Sequence, residues 1–146
     1  MSFFVVKQLP VLDPDRIPED IVMPIISRTT QLLYFNHDLD DWAEELWNCL
    51  SPVQKEVIPQ LGEKQCFQYN DDDRAIFQAE LDAIFAHLYG LNTKDLMYIL
   101  DPEDICGKNC INETFRVMKD NEIRKYGEYR TKRLILEAWQ RFGYDN

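Results

Sequence analysis

Hydrophobic positions recur at helical spacing over most of this chain. Ile21, Val22, Ile25, Ile26, Leu32 and Leu33 predict a helix near residues 20–35. Pro24 suits only the first turn of such a helix, because proline lacks a backbone donor and crowds the turn before it. Leu39, Trp42, Ala43, Leu46 and Leu50 step by three and four. The acids Asp40, Asp41, Glu44 and Glu45 lie near the start of that second helix, where its dipole favours negative charge. Ser51-Pro52-Val53-Gln54 has the reciprocal capping pattern with proline at the first helical position, and predicts a short helix running to Pro59. Phe77, Leu81, Ile84, Phe85 and Leu88 form one apolar stripe, preceded by Asp71, Asp72 and Asp73 and ended by Gly90. Thr93 is expected to cap a helix carrying Leu96, Met97, Ile99 and Leu100, which Pro102 stops. Residues 101–112 read as a loop, followed by a helix around 114–126. The last helix is expected from about Tyr129 to Phe142: Ile135, Trp139 and Phe142 share a face, and Arg133, Glu137 and Arg141 sit four apart.

The N-terminus breaks this periodicity. Residues 3–9 are aromatic and β-branched, are stopped by Pro10, and read as a strand. A lone strand exposes an unpaired edge, so its sheet is expected in an upstream domain. Pro10, Pro14 and Pro18 then stiffen a linker. The expected fold is mainly α: an irregular bundle of about five to six helices with a short N-terminal β-strand. Residues 1–18 are expected to form the strand and linker, and 19–146 a single helical domain.

Composition narrows the function classes. Hydrophobic residues make up 45% of the 146, enough for a buried core rather than disorder. No apolar run approaches a membrane span, and the first residues lack a signal-peptide pattern, so a cytoplasmic location is the default expectation. In that compartment Cys49, Cys66, Cys106 and Cys110 are expected as free thiols, and Cys106 with Cys110 lacks the further ligands a zinc site needs. The net charge of −10 is unevenly spread. Residues 13–104 hold twenty acids against six bases, whereas residues 105–146 hold six against nine. The acidic stretch would repel a phosphate backbone; the C-terminal third would not.

Candidate chemistry is sparse. The five glycines are isolated, so no phosphate-cradling loop is present, and no Gly-x-Ser-x-Gly elbow occurs. The acids beside His37 (Asp38, Asp40, Asp41) and the Asp71–Asp73 run suit helix starts better than metal or acid–base sites. Asn112-Glu113-Thr114 is a glycosylation sequon with no consequence in the cytoplasm. His87, near the apolar face of its helix, is expected as a packed, hydrogen-bonded histidine. Among the bases, Lys7, Arg124, Lys125, Arg130, Lys132 and Arg133 are the candidate nucleic-acid contacts. The interleaved acids Asp120, Glu122 and Glu128 favour a salt-bridged, solvated face over a phosphate-binding one. No catalytic residue, metal site or cofactor site is expected in this chain.

Three segments carry a resemblance. Residues 2–12 (SFFVVKQLPVL), residues 74–91 (RAIFQAELDAIFAHLYGL), and residues 115–119 with 126–134 (FRVMK and YGEYRTKRL) resemble, in that order, the C-terminal part of bacterial adenine-specific DNA methyltransferases. These include single-chain restriction–modification enzymes and their phage-defence relatives. The resemblance implies a strand closing a target-recognition region and motif residues of structural role at Glu80, Asp82, His87, Tyr89, Glu128 and Tyr129. The family's Asn-Pro-Pro-Tyr type tetrapeptide and its glycine-rich cofactor motif are absent. What the resemblance implies is therefore a non-catalytic helical domain supporting target recognition. S-adenosylmethionine, and in some members a fused nuclease, would belong to the parent enzyme. The expected partner is the rest of that chain, with DNA touched weakly or indirectly. Two rival expectations stand beside it: a stand-alone acidic interaction module that could mimic DNA, and a small metal-dependent hydrolase using the acid clusters.

Overall fold

A computed structural model describes residues 11–107 and 115–145. The strand expected over residues 3–9 lies outside them, and no strand occurs among the described residues. The described helices are α1 (Glu19–Leu33), α2 (Asp40–Cys49), α3 (Pro52–Lys55), α4 (Asp71–Leu88), α5 (Thr93–Leu100), α6 (Glu103–Cys106), α7 (Arg116–Tyr126) and α8 (Arg130–Arg141). Short 3-10 turns lie at Pro14–Arg16, His37–Leu39 and Pro59–Leu61. Eight helices occur among the described residues against the expected five to six; α6, a single turn of four residues, falls in a stretch expected as loop. The loop expected over 101–112 opens with α6. Pro102, read as a stop, also starts that turn, its carbonyl accepting the Ile105 and Cys106 N–H groups at 3.0 Å. Proline is tolerated at a helix start because the N–H it lacks would have no intrahelical partner there anyway.

The local rules explain most boundaries. At α3, Ser51 Oγ accepts the Gln54 N–H at 3.4 Å while Gln54 Oε1 accepts the Ser51 N–H at 2.9 Å, the expected reciprocal box. Asn70 caps α4 by accepting the Asp72 and Asp73 N–H groups at 2.9 and 3.0 Å. Gly90, at φ +75°, follows that helix in the left-handed region, where a side chain would be strained. Two expectations need correction. Pro24 lies inside α1, beyond its first turn, and its carbonyl accepts Arg28 Nη1 at 3.0 Å. Thr93 does not cap α5; Asn92 does, in a reciprocal box with Asp95. The Thr93 hydroxyl instead accepts the Trp139 indole N–H at 3.0 Å.

Helix α4 is the centre of the molecule, packed on one side by α8 and on another by α1. Its fully buried face is not the expected stripe. Ala79, Ala83 and Ile84 are buried with Glu80, whereas Phe85 stays 36% exposed and Phe77, Leu81 and Leu88 are half-buried. A helix flanked by two others favours alanine between the axes, because a missing side chain lets the backbones approach. One core joins Ala79 and Ala83 to Leu96, Leu100, Ile135, Ala138 and the wholly buried Trp139. A second joins Tyr34, Ala43, Leu50, Ile58 and Leu61, with Trp42 and Trp47 at its margin. Gly62 is required there by space: an added Cβ would lie 2.5 Å from the Trp47 ring.

Candidate functional site

The described candidate contacts for nucleic acid all lie on α7 and α8, yet most of their charge is consumed inside the chain. Arg130 Nη2 bonds Asp72 Oδ1 at 2.9 Å, and its guanidinium lies 5.0 Å from the Tyr126 ring centroid. Lys132 pairs with Asp101 at 3.3 Å and also with Asp104. Arg133 forms a fork with Glu128 at 3.0–3.1 Å and reaches Glu137 at 2.8 Å. These bonds raise the Arg133 pKa further. Lys125 sits 4.8 Å from the Tyr126 ring centroid, and its hydrogen bond with Tyr126 raises the ammonium pKa and lowers the phenol's. Among these five, only Arg124 is exposed with neither an ion pair nor a ring partner. Lys7 lies outside the described residues. Of the interleaved acids only Glu128 pairs with a base of this cluster; Asp72, Asp101, Asp104 and Glu137 supply the other partners of a salt-bridged face.

Beneath that face lies a buried ionic network. Asp101 is 4% exposed and takes Lys119 at 2.9 Å as well as Lys132. Lys119 also reaches Glu103 at 2.9 Å. Burial opposes the Asp101 charge, but the two ammonium groups outweigh it and hold its carboxyl below the usual range. The Tyr129 hydroxyl is buried without a hydrogen-bond partner, and desolvation pushes its pKa up to about 12. Glu122 caps α8, accepting the Thr131 N–H at 2.8 Å and its hydroxyl at 2.5 Å.

The residues singled out by the family-like motifs scatter over separate roles. Glu80 is 7% exposed and accepts both Arg28 from α1 and Arg141 from α8, joining three helices through one carboxylate. Arg141 thus turns to Glu80 rather than to Glu137, its partner by sequence spacing. His87 stacks on Tyr144 at 3.9 Å between ring centroids and meets Trp139 edge-on at 6.3 Å, packed by its rings while still exposed. Tyr89 is 49% exposed. Glu128 serves Arg133, and Asp82 lines a groove beside α5 and α7.

One constellation escaped sequence reading because Cys66 joins it from twenty-nine positions beyond His37. Tyr34 donates to Asp40 Oδ1 at 2.7 Å, His37 Nδ1 lies 3.0 Å from the same oxygen, and Cys66 Sγ lies 3.7 Å from that nitrogen. The Tyr34 phenol pKa is raised by its burial and by Asp40, and the Asp40 carboxyl is held low by Tyr34 and His37. Asp40 and Cys66 approach the same imidazole nitrogen. A carboxylate–imidazole–thiol relay needs both ring nitrogens, one for each neighbour, so this arrangement positions a loop and does not build an activated nucleophile. Cys66 and Cys49 are free, whereas Cys106 is disulfide-bonded, contrary to the expected free thiol. No group of three or more metal-ligating side chains comes together among the described residues. No family model matches the chain, and no curated protein or solved structure matches it.

Proposed function

We propose that this chain is a non-catalytic helical domain acting through protein contact, the C-terminal support of a target-recognition region in a restriction–modification or phage-defence adenine methyltransferase. The observation that carries the reading is the internal neutralisation of Arg130, Lys132 and Arg133 by Asp72, Asp101, Asp104, Glu128 and Glu137. Bases already paired release few counterions on meeting a phosphate backbone, so DNA is touched weakly at most. The three resembling segments supply the enzyme class. In this reading S-adenosylmethionine belongs to the parent enzyme. No helix among the described residues is long and apolar enough to cross a membrane, and a cytoplasmic location is part of the proposal.

The purified chain is expected to transfer no methyl group from S-adenosylmethionine to DNA, and to show weak, salt-sensitive duplex binding that charge reversal at Arg130 and Arg133 abolishes. Methyl transfer by the chain alone, or duplex binding that survives both reversals and high salt, overturns the reading. The reading frame upstream of Met1 is expected to encode a methylase with an Asn-Pro-Pro-Tyr type motif. A separate gene without one favours the second reading, a stand-alone acidic interaction module, which the concentration of acids over residues 13–104 supports.

A further inference from the structure

A groove of about 760 Å³ runs between α4, α5, α7 and the start of α8. Its α4 wall extends from Asp71 to Ala86, which at the helical rise is about 22 Å. The two ends differ in charge. Toward Asp71 most lining charges are answered within the chain: Arg130 bonds Asp72, Glu122 bonds Thr131, and Lys125 lies against Tyr126, while Asp71 itself is exposed and makes no ion pair. Asp82 has no such answer. It makes no hydrogen bond and no ion pair, and the groove also presents Ala86, Leu91, Leu96, Ile99 and Leu100. Desolvation by these groups raises its carboxyl pKa, although the residue is exposed to water on its outer side. Ile99 on α5, in the groove lining, remains 39% exposed.

We propose that this groove docks an apolar polypeptide segment of a protein partner, with one lysine or arginine of that segment seated on Asp82. The apolar lining calls for hydrophobic side chains, and the unanswered carboxylate calls for one cation. A wall of about 22 Å matches roughly four helical turns and exceeds the reach of a small amine. A chain of net charge −10 attracts a basic partner before contact and repels nucleic acid from the same groove. The proposal deepens the reading of the chain as a support that works by protein contact. A gene context without a methylase would end that reading and leave the groove measurement unaffected.

The probe is a labelled synthetic amphipathic peptide of four turns with leucines on one face and a single central lysine, titrated against the full chain by fluorescence anisotropy. Matched peptides carry norleucine or glutamate in place of that lysine. The lysine peptide is expected to bind saturably, about fivefold tighter than the norleucine peptide, with the glutamate peptide weakest. Asp82→Asn should erase the preference for lysine while circular dichroism stays unchanged. Ile99→Glu, at an exposed position, should weaken all three peptides and supplies a second variant. Absence of saturable binding, equal affinity for the lysine and glutamate peptides, or an Asp82→Asn chain that still prefers lysine overturns the proposal. So does displacement of the peptide by hexylamine at comparable affinity, which would assign the groove to a small amine.

Discussion

Glu80 is the residue whose loss tests the packing scheme most directly. Its side chain is 9% exposed and receives Arg28, 19% exposed, and Arg141, 56% exposed. Replacing it with Gln keeps the volume of the side chain but leaves the Arg28 guanidinium between α1 and α4 without a counter-charge. Breaking a buried pair by removing one partner costs about 3–5 kcal/mol, and the residual exposure of Arg28 places this case near the lower end, about 3 kcal/mol. For a chain of this length that is a fall of roughly 10 °C in the unfolding midpoint. Arg141→Gln removes a mostly solvated partner and should cost under about 1 kcal/mol. Urea denaturation of the single and double variants separates the two arms: the coupling of Glu80 to Arg28 should clearly exceed that to Arg141, with the denaturant slope unchanged. A Glu80→Gln cost below about 1 kcal/mol, or equal coupling in both arms, would refute the assignment of Glu80 as the tie between three helices.

Gly62→Ala should destabilise the chain by about 1–3 kcal/mol through the clash with Trp47, and a Trp47→Leu partner substitution should recover part of it in thermal melts. Asp101 has a folded pKa below its ordinary value, so its contribution is fully present above about pH 4 and is lost as pH falls through the folded value. Asp101→Asn is therefore expected to lower stability at neutral pH and to flatten the acid side of the stability curve. Tyr129→Phe removes a buried hydroxyl with no partner, and calorimetry should find it neutral or stabilising by up to about 1 kcal/mol.

The helix boundaries were legible in the sequence wherever a local device set them. The Ser51–Gln54 box, the acids opening α4, Gly90 after it and the apolar face of α8 act within one or two turns, so their neighbours in sequence are their neighbours in space. The salt-bridged character of the basic face was legible too, because Glu128 and Glu137 lie within reach of Arg133 along one helix and its approach. Local signals were weaker where one residue could serve two roles. Thr93 had the chemistry of a cap, and Trp139, forty-six positions away, took its hydroxyl instead.

Tertiary structure alone decided which face of α4 is buried. Spacing pointed to the large residues Phe77, Leu81, Ile84, Phe85 and Leu88, but a helix clasped between α1 and α8 buries the face on which its neighbours can approach, and that face carries Ala79 and Ala83. The same enclosure chose the two arginines that share Glu80, fifty-two and sixty-one positions away. It also left Asp82, two residues on, as an unpaired carboxylate in an apolar groove. The sequence by itself determined that this would be an acidic, mainly helical chain, because periodicity, caps and charge act locally or in sum. Pairing of individual charges depends on which helices meet, and only the packed structure decides that.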